Sequence, residues 1–134
     1  MDRRKLFKHT TYLIFFIFIV NFLANKFYWY SAIWWSDMPM HFLGGLWLGL
    51  ILIWLFNFQD LSLRLISKII LGVFLIGVGW EFFEFVFNNY IAKNQFNTLD
   101  TISDIFFDLA GGSFAILYFL KRIMFSKGNA VQLK

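Results

Sequence analysis

Four stretches of the chain stay apolar for about 20 residues each, with short polar segments between them. The first runs from about Leu6 to Ala24, through YLIFFIFIVNFLA. The second runs from about Met38 to Phe58 and begins MPMHFLGGLWLGL. The third runs from about Leu65 to Asn88 and ends GVGWEFFEFVFNN. The fourth covers about Thr101 to Phe125. About 20 helical residues cross roughly 30 Å of hydrocarbon, so each stretch has the length of a membrane span. The pattern predicts an all-α, polytopic integral membrane protein with four transmembrane helices. A single transmembrane domain over residues 1–134 is expected.

The polar segments orient these spans. Arg3, Arg4, Lys5 and Lys8 precede the first; Arg64 and Lys68 separate the second and third. Lys121, Arg122, Lys127 and Lys134 lie at the end of the fourth or beyond it. The two remaining loops carry only Lys26 and Lys93. By the positive-inside rule, both termini and the middle loop are cytoplasmic. The RRK ahead of the first span resembles the start of a signal peptide, but no A-x-A-like cleavage site follows. A retained anchor is therefore expected.

Composition agrees with a bilayer as solvent. Of 134 residues, 60% are hydrophobic, 23% aromatic and only 15% charged. A soluble domain of this length could not hide so much apolar surface. The net charge of +4 comes from the segments flanking the spans, which reads as topology and excludes nucleic acid as a partner. The absence of cysteine excludes disulfides and thiolate metal sites.

The acidic residues do not follow the loops. With this orientation Asp37 and His41 lie at the outer end of span two. Glu81 and Glu84 lie in the outer part of span three, and Asp100, Asp104 and Asp108 in the outer half of span four. An ionised Asp at the centre of a bilayer costs about 2.5–3.5 kcal/mol on insertion scales, so such residues point to function. Their faces also match. Asp37, His41, Gly45 and Gly49 recur every four residues, as do Asp100, Asp104, Asp108 and Gly112, and Gly77 precedes Glu81 by four. GLWLG and GGSFA fit the small-xxx-small pattern of close helix crossings. Spans two to four are expected to cross tightly and splay outward around a polar pocket.

Simpler roles exist for some of these groups. Ser36 or Asp37 suits the N-cap of span two, with Pro39 in its first turn, and Asp100 suits that of span four. Asp104 and Asp108 sit too deep for capping. A network of carboxylates with Trp, Tyr and Asn donors is the structural alternative. His41 taken alone reads as a packed histidine and gains meaning from Asp37 one turn before it. His9 falls near the cytoplasmic end.

Six carboxylates and an imidazole in one pocket cannot all be charged and unpaired. Lys26 and Lys93 are nearby organic cations, but a divalent metal is the simpler neutraliser. Oxygen ligands with one His favour Mg²⁺, Mn²⁺ or Ca²⁺, with Zn²⁺ or Fe²⁺ as alternatives. The expected ligands are Asp37, His41, Glu81, Glu84, Asp100, Asp104 and Asp108; His41, Glu81 and Asp104 are the expected catalytic groups. A metal there polarises a phosphoryl or acyl oxygen or activates water. The segment FYWYSAIWWS holds six aromatics in ten residues, which reads as an interfacial belt or a short segment roofing the pocket.

Three motifs thus stand in order: SDMPMHFLGG, WEFFEF and LDTISDIFFDLAGG. Together they resemble the YjdF-type inner-membrane protein family and, more distantly, the VanZ-like superfamily, over about residues 36–112. The resemblance implies a helical multi-pass protein of a bacterial-type inner (cytoplasmic) membrane, linked in VanZ-like proteins to cell-envelope processes. The matching positions are Asp37, His41, Glu81, Glu84, Asp104 and Asp108.

Three functions stay open at this point. One is a metal-dependent membrane hydrolase or transferase acting on a lipid headgroup or a lipid-linked envelope intermediate. Another is a non-catalytic accessory protein that binds membrane lipids or a partner helix. The last is an ion-coupled transporter, for which the inner halves of the spans offer almost no polar steps within one chain; a homo-oligomer could build such a path.

Overall fold

The computed structural model describes residues 3–56, 62–92 and 97–132. These residues form helices and turns, with no strand among them. The helices are α1 (Arg3–Lys26), a single turn α2 (Trp29–Ala32), α3 (Asp37–Leu55), α4 (Leu63–Phe87) and α5 (Thr98–Gln132). α4 runs on into a π-turn over Asn88–Ala92. Among the described residues, four helical segments are long and apolar enough to cross a membrane: Arg3–Lys26, Asp37–Leu55, Leu63–Ile91 and Thr98–Arg122. The last has the lowest mean hydropathy, 1.4, because its first half carries the three aspartates.

These segments lie close to the expected spans. α3 ends at Leu55, and positions 57 and 58, assigned to span two, fall outside the described residues. α5 keeps its helical backbone to Gln132, ten residues past its apolar part.

The helix starts differ from the capping expectation. Ser62 begins α4 as a cap, its hydroxyl accepting from the Leu65 N–H at 3.3 Å. At α5, Asn97 Oδ1 accepts from the Leu99 N–H at 3.2 Å, so Asn97 takes the place foreseen for Asp100. Ser36 precedes α3 but makes no side-chain cap; its hydroxyl donates instead to the Trp29 carbonyl at 3.1 Å. The Asp37 carboxylate, in the first turn of α3, is turned toward His41.

Helix directions follow from the contacts. Gly45 of α3 meets Asp108 of α5, and Gly49 meets Gly112 and Ala115, so α3 and α5 are parallel neighbours. Gly77 of α4 meets that same Asp108, and Val73 meets Gly112, so α4 runs antiparallel to both. α1 lies antiparallel along α3: the Trp47 indole donates to the Thr10 carbonyl at 3.0 Å, and Phe7 and Arg3 pack on the Trp54 ring. A turn at Tyr28, with φ 56°, reverses the chain after α1.

Along this bundle the core changes character. Its apolar half is built from Leu50 and Ile53 of α3, Leu65, Ile69 and Val73 of α4, and Ala115, Ile116 and Phe119 of α5. Leu6 of α1 closes it. Toward the other end the same stripes continue as His41, Glu81, Asp104 and Asp108, all buried. Large side chains such as Phe15, Phe18, Phe82 and Phe106 stand on the outside, as lipid-facing residues do.

The tightest contact is between α3 and α5. A Cβ on Gly45 would overlap the Asp108 backbone, and one on Gly111 would overlap the Phe42 carbonyl. This crossing lies at the level of Asp108 and not below the acidic residues, as the small-residue pattern implied. Asp108 is part of the crossing: its backbone rests on Gly45 and its carboxylate fills the space left by Gly77.

Candidate functional site: a buried carboxylate–histidine cluster

Four-residue spacing on three packed helices determines which polar groups meet. Asp37 and His41 share one face of α3, Asp104 and Asp108 share one face of α5, and Glu81 ends the buried stripe of α4. Because α3 and α5 run parallel with their backbones touching, the two pairs come level. His41 is the hub. Its Nε2 lies 3.8 Å from Asp37 Oδ2 and 3.7 Å from Asp104 Oδ2, and its Nδ1 lies 3.4 Å from Asp108 Oδ1.

These separations are long for hydrogen bonds. The distances from His41 to Asp37 and Asp104 fall within the span of two ligands on one cation, at most roughly 4.2 Å for bonds of about 2.1 Å and about 4.8 Å for the longer bonds of Ca²⁺. Ligand atoms of Asp37, His41 and Asp104 all lie within 4.8 Å of one another. Asp108 reaches the other ring nitrogen, where a carboxylate commonly fixes the tautomer of a metal-bound histidine.

One imidazole faces three carboxylates in this cluster. Asp104 keeps 2% of its surface exposed and Glu81 6%. Asp104 Oδ1 and Glu81 Oε1 have no hydrogen-bond partner there. A buried carboxylate oxygen without a donor costs several kcal/mol on the order of a lost ion pair. The ion pairs that reach the cluster all involve His41. Lys93, one of the two cations expected nearby, lies outside the described residues.

The remaining expected residues divide. Glu84 is half-buried and lines a cleft beside the cluster together with Tyr30 and Asp37. Asp100 is exposed on the first turn of α5, one turn before Asp104, and it reaches Asp37, Asp104 and Glu84 through its charge and not as a buried member of the group. His9 faces Tyr118 at the opposite end of the bundle, 3.3 Å from its hydroxyl.

The cleft has a volume of about 690 Å³ and lies between α1, α3 and α4. Asn21 and Asn25 of α1 reach it, as does Tyr30 from the aromatic segment. The Tyr30 hydroxyl donates to Asn21 Oδ1 at 2.7 Å. Burial, followed by the charges of Asp37 and Glu84, raises the Tyr30 pKa above its ordinary 10, so the phenol keeps its proton. Trp34 and Tyr28 in the same segment point outward as a belt would.

Sequence reasoning missed the share of α1 in this site. Its signal was available: Asn21 and Asn25 are amides four residues apart in an otherwise apolar run. Neither curated proteins nor solved structures yield a match to the chain. The sequence does match a family across residues 1–124, a range containing all the clustered residues. The chain belongs to that family, described as predicted membrane protein (DUF2238).

Proposed function

We propose that this membrane protein holds a divalent cation in the carboxylate–histidine cluster and uses it in hydrolysis or transfer on a lipid headgroup or envelope intermediate. The observation that carries the reading is the pair of buried, unpartnered oxygens, Asp104 Oδ1 and Glu81 Oε1, beside His41. Oxygen donors with one imidazole suit Mg²⁺, Mn²⁺ or Ca²⁺ best, and admit Zn²⁺ or Fe²⁺. Asp37, His41 and Asp104 are the proposed ligands, and Asp108 holds the ring so that Nε2 faces them.

A cation bound there would supply Lewis-acid activation of a phosphoryl or acyl oxygen. The chain's own part is to orient the group and manage the proton. Glu81, poised near the ligands and free of a donor at Oε1, is the proposed acid–base group. Glu84 and the neutral Tyr30 hydroxyl border the approach.

The setting follows from charge. Lys and Arg concentrate at both termini and in the middle loop, which supports cytoplasmic termini and an extracytoplasmic cluster. The likeness of the three acidic motifs to YjdF-type and VanZ-like proteins supports a bacterial inner membrane and a cell-envelope role. Transport through one chain is disfavoured by the closed apolar half of the core, from Leu50 to Phe119.

The test is a Mn²⁺ titration of purified protein followed by electron paramagnetic resonance. Wild type is expected to bind one ion, and Asp104→Asn combined with Glu81→Gln to lose it. No binding of any divalent ion by wild type would refute the reading. Binding without turnover on any lipid phosphate or ester would assign the cluster to a non-catalytic role.

A further inference from the structure

The cleft beside the cluster is polar at one end and apolar along the rest. Asp37, His41 and Glu84 stand at the polar end, while Ile14, Leu48 and Ile76 line the part nearer the middle of the bundle. The polarity changes along the helix axes, which is how a lipid lies in one leaflet. Ile76 and Trp80 are also 46% and 53% exposed, so the cleft opens sideways between α1 and α4, toward lipid. Its volume of about 690 Å³ falls in the usual range of small-molecule sites, which are mostly apolar with a few polar anchors.

We infer that this cleft takes the hydrocarbon chain of a single-chain lipid phosphate, which enters from the bilayer and sets its phosphate against the clustered residues Asp37 and His41. The inference rests on the cation reading above and names the substrate class for it. Among the described residues the cleft wall contains no Lys or Arg. Neutral donors of Asn21, Asn25 and Tyr30 border the cleft, and a cation at Asp37, His41 and Asp104 would supply the positive charge that an anionic headgroup needs, since hard cations favour phosphate oxygen. Chain binding and metal binding should then be coupled. The apolar wall supplies affinity for the chain by burying it, and the headgroup sets the register.

The experiment uses a dodecyl phosphate carrying a diazirine on its chain. The full chain is placed in phosphatidylcholine nanodiscs with Mn²⁺, irradiated, and mapped by mass spectrometry. Labels are expected on Ile14 or Ile17 and on Ile76 or Trp80. Chelating the metal, or filling the cleft with Ile76→Trp, should lower that labelling about tenfold, equivalent to roughly 1.4 kcal/mol of binding. Ile76 is not among the proposed ligands, so Ile76→Trp should bind Mn²⁺ as wild type does in the absence of the probe, which also controls for folding.

Labels confined to outward positions such as Phe15 and Phe82, with Mn²⁺ binding intact, would overturn the inference alone. Stronger cleft labelling by the matching alkylammonium probe than by the phosphate would overturn the headgroup assignment. The chain has no cysteine, so an Ile76→Cys variant that forms a disulfide dimer, with no cleft labelling, would give the cleft to a second copy. Absence of Mn²⁺ binding in wild type would remove the cation reading beneath it, a distinct failure read in a separate measurement.

Discussion

Gly45→Ala and Gly79→Ala should change stability in opposite directions. Both glycines lie within helices, where alanine gains about 0.8–1.0 kcal/mol of intrinsic propensity. Gly79 has nothing within 4 Å of a built Cβ, so only that gain applies and stability rises by about 0.4–1 kcal/mol. At Gly45 the Cβ would stand 2.6 Å from the Asp108 carbonyl carbon and 2.7 Å from its Cα. Carbon atoms prefer about 3.5–4.0 Å, so α3 and α5 must part by roughly 1 Å at that level. The obstacle is backbone, which no rotamer change can move. Overpacking costs about 1–3 kcal/mol, and the upper half of that range applies, leaving a net loss of about 1–2 kcal/mol. His41 sits one turn away, 3.4 Å from Asp108, and a 1 Å separation takes that pair to about 4.4 Å, out of hydrogen-bond reach. Gly45→Ala should therefore weaken metal binding as well as packing. The assay is denaturation in mixed micelles by sodium dodecyl sulfate, followed by circular dichroism, with Mn²⁺ affinity measured in parallel. A Gly45→Ala protein as stable as Gly79→Ala would refute the backbone contact between α3 and α5.

The two aspartates of α5 should separate by role. Asp104→Asn removes a proposed ligand and should abolish Mn²⁺ binding, whereas Asp108→Asn should weaken it about 10–100-fold, as loss of an orienting carboxylate does, measured by calorimetry. Asp100→Asn should lower affinity far less than Asp104→Asn, since Asp100 is exposed one turn away and acts on the cluster only through its charge; equal losses at positions 100 and 104 would contradict the cluster as drawn. Tyr30 gives a pH signature. Its folded pKa is raised above 10, so its contribution is full below pH 10 and is lost as the pH rises from 10 through the folded value. Alkaline denaturation curves should show this loss in wild type and not in Tyr30→Phe, which also gives up the hydrogen bond to Asn21, worth about 0.5–1.5 kcal/mol.

Much of the fold was legible because its cause is local. Twenty apolar residues need no partner to announce a span, and the bounds of α1, α3, α4 and α5 fall close to those read from hydropathy. Period-four spacing also carried real information: Asp37 with His41, and Asp104 with Asp108, do meet. What the spacing could not show is register between helices. Parallel packing of α3 on α5, with Gly45 against Asp108, puts His41 between Asp104 and Asp108; a slip of one turn would have brought Asp100 in. Three-dimensional burial then sorts seven similar side chains into buried, bordering and exposed groups. The cleft was illegible for the same reason. Asn21 and Tyr30 are nine residues apart in the chain, and only the turn at Tyr28 joins them. Ser36 was a plausible cap by residue type, yet α2 lies close enough to offer its hydroxyl the Trp29 carbonyl instead.

His41 and the carboxylates around it are proposed to hold one divalent cation. Electron spin-echo envelope modulation of the Mn²⁺-loaded protein tests it most directly, because it detects nitrogen bound to the metal. Coupling to a single imidazole nitrogen is expected in wild type, retained in Asp100→Asn and lost in His41→Gln. Bound Mn²⁺ with no nitrogen coupling, or coupling that survives His41→Gln, would contradict it.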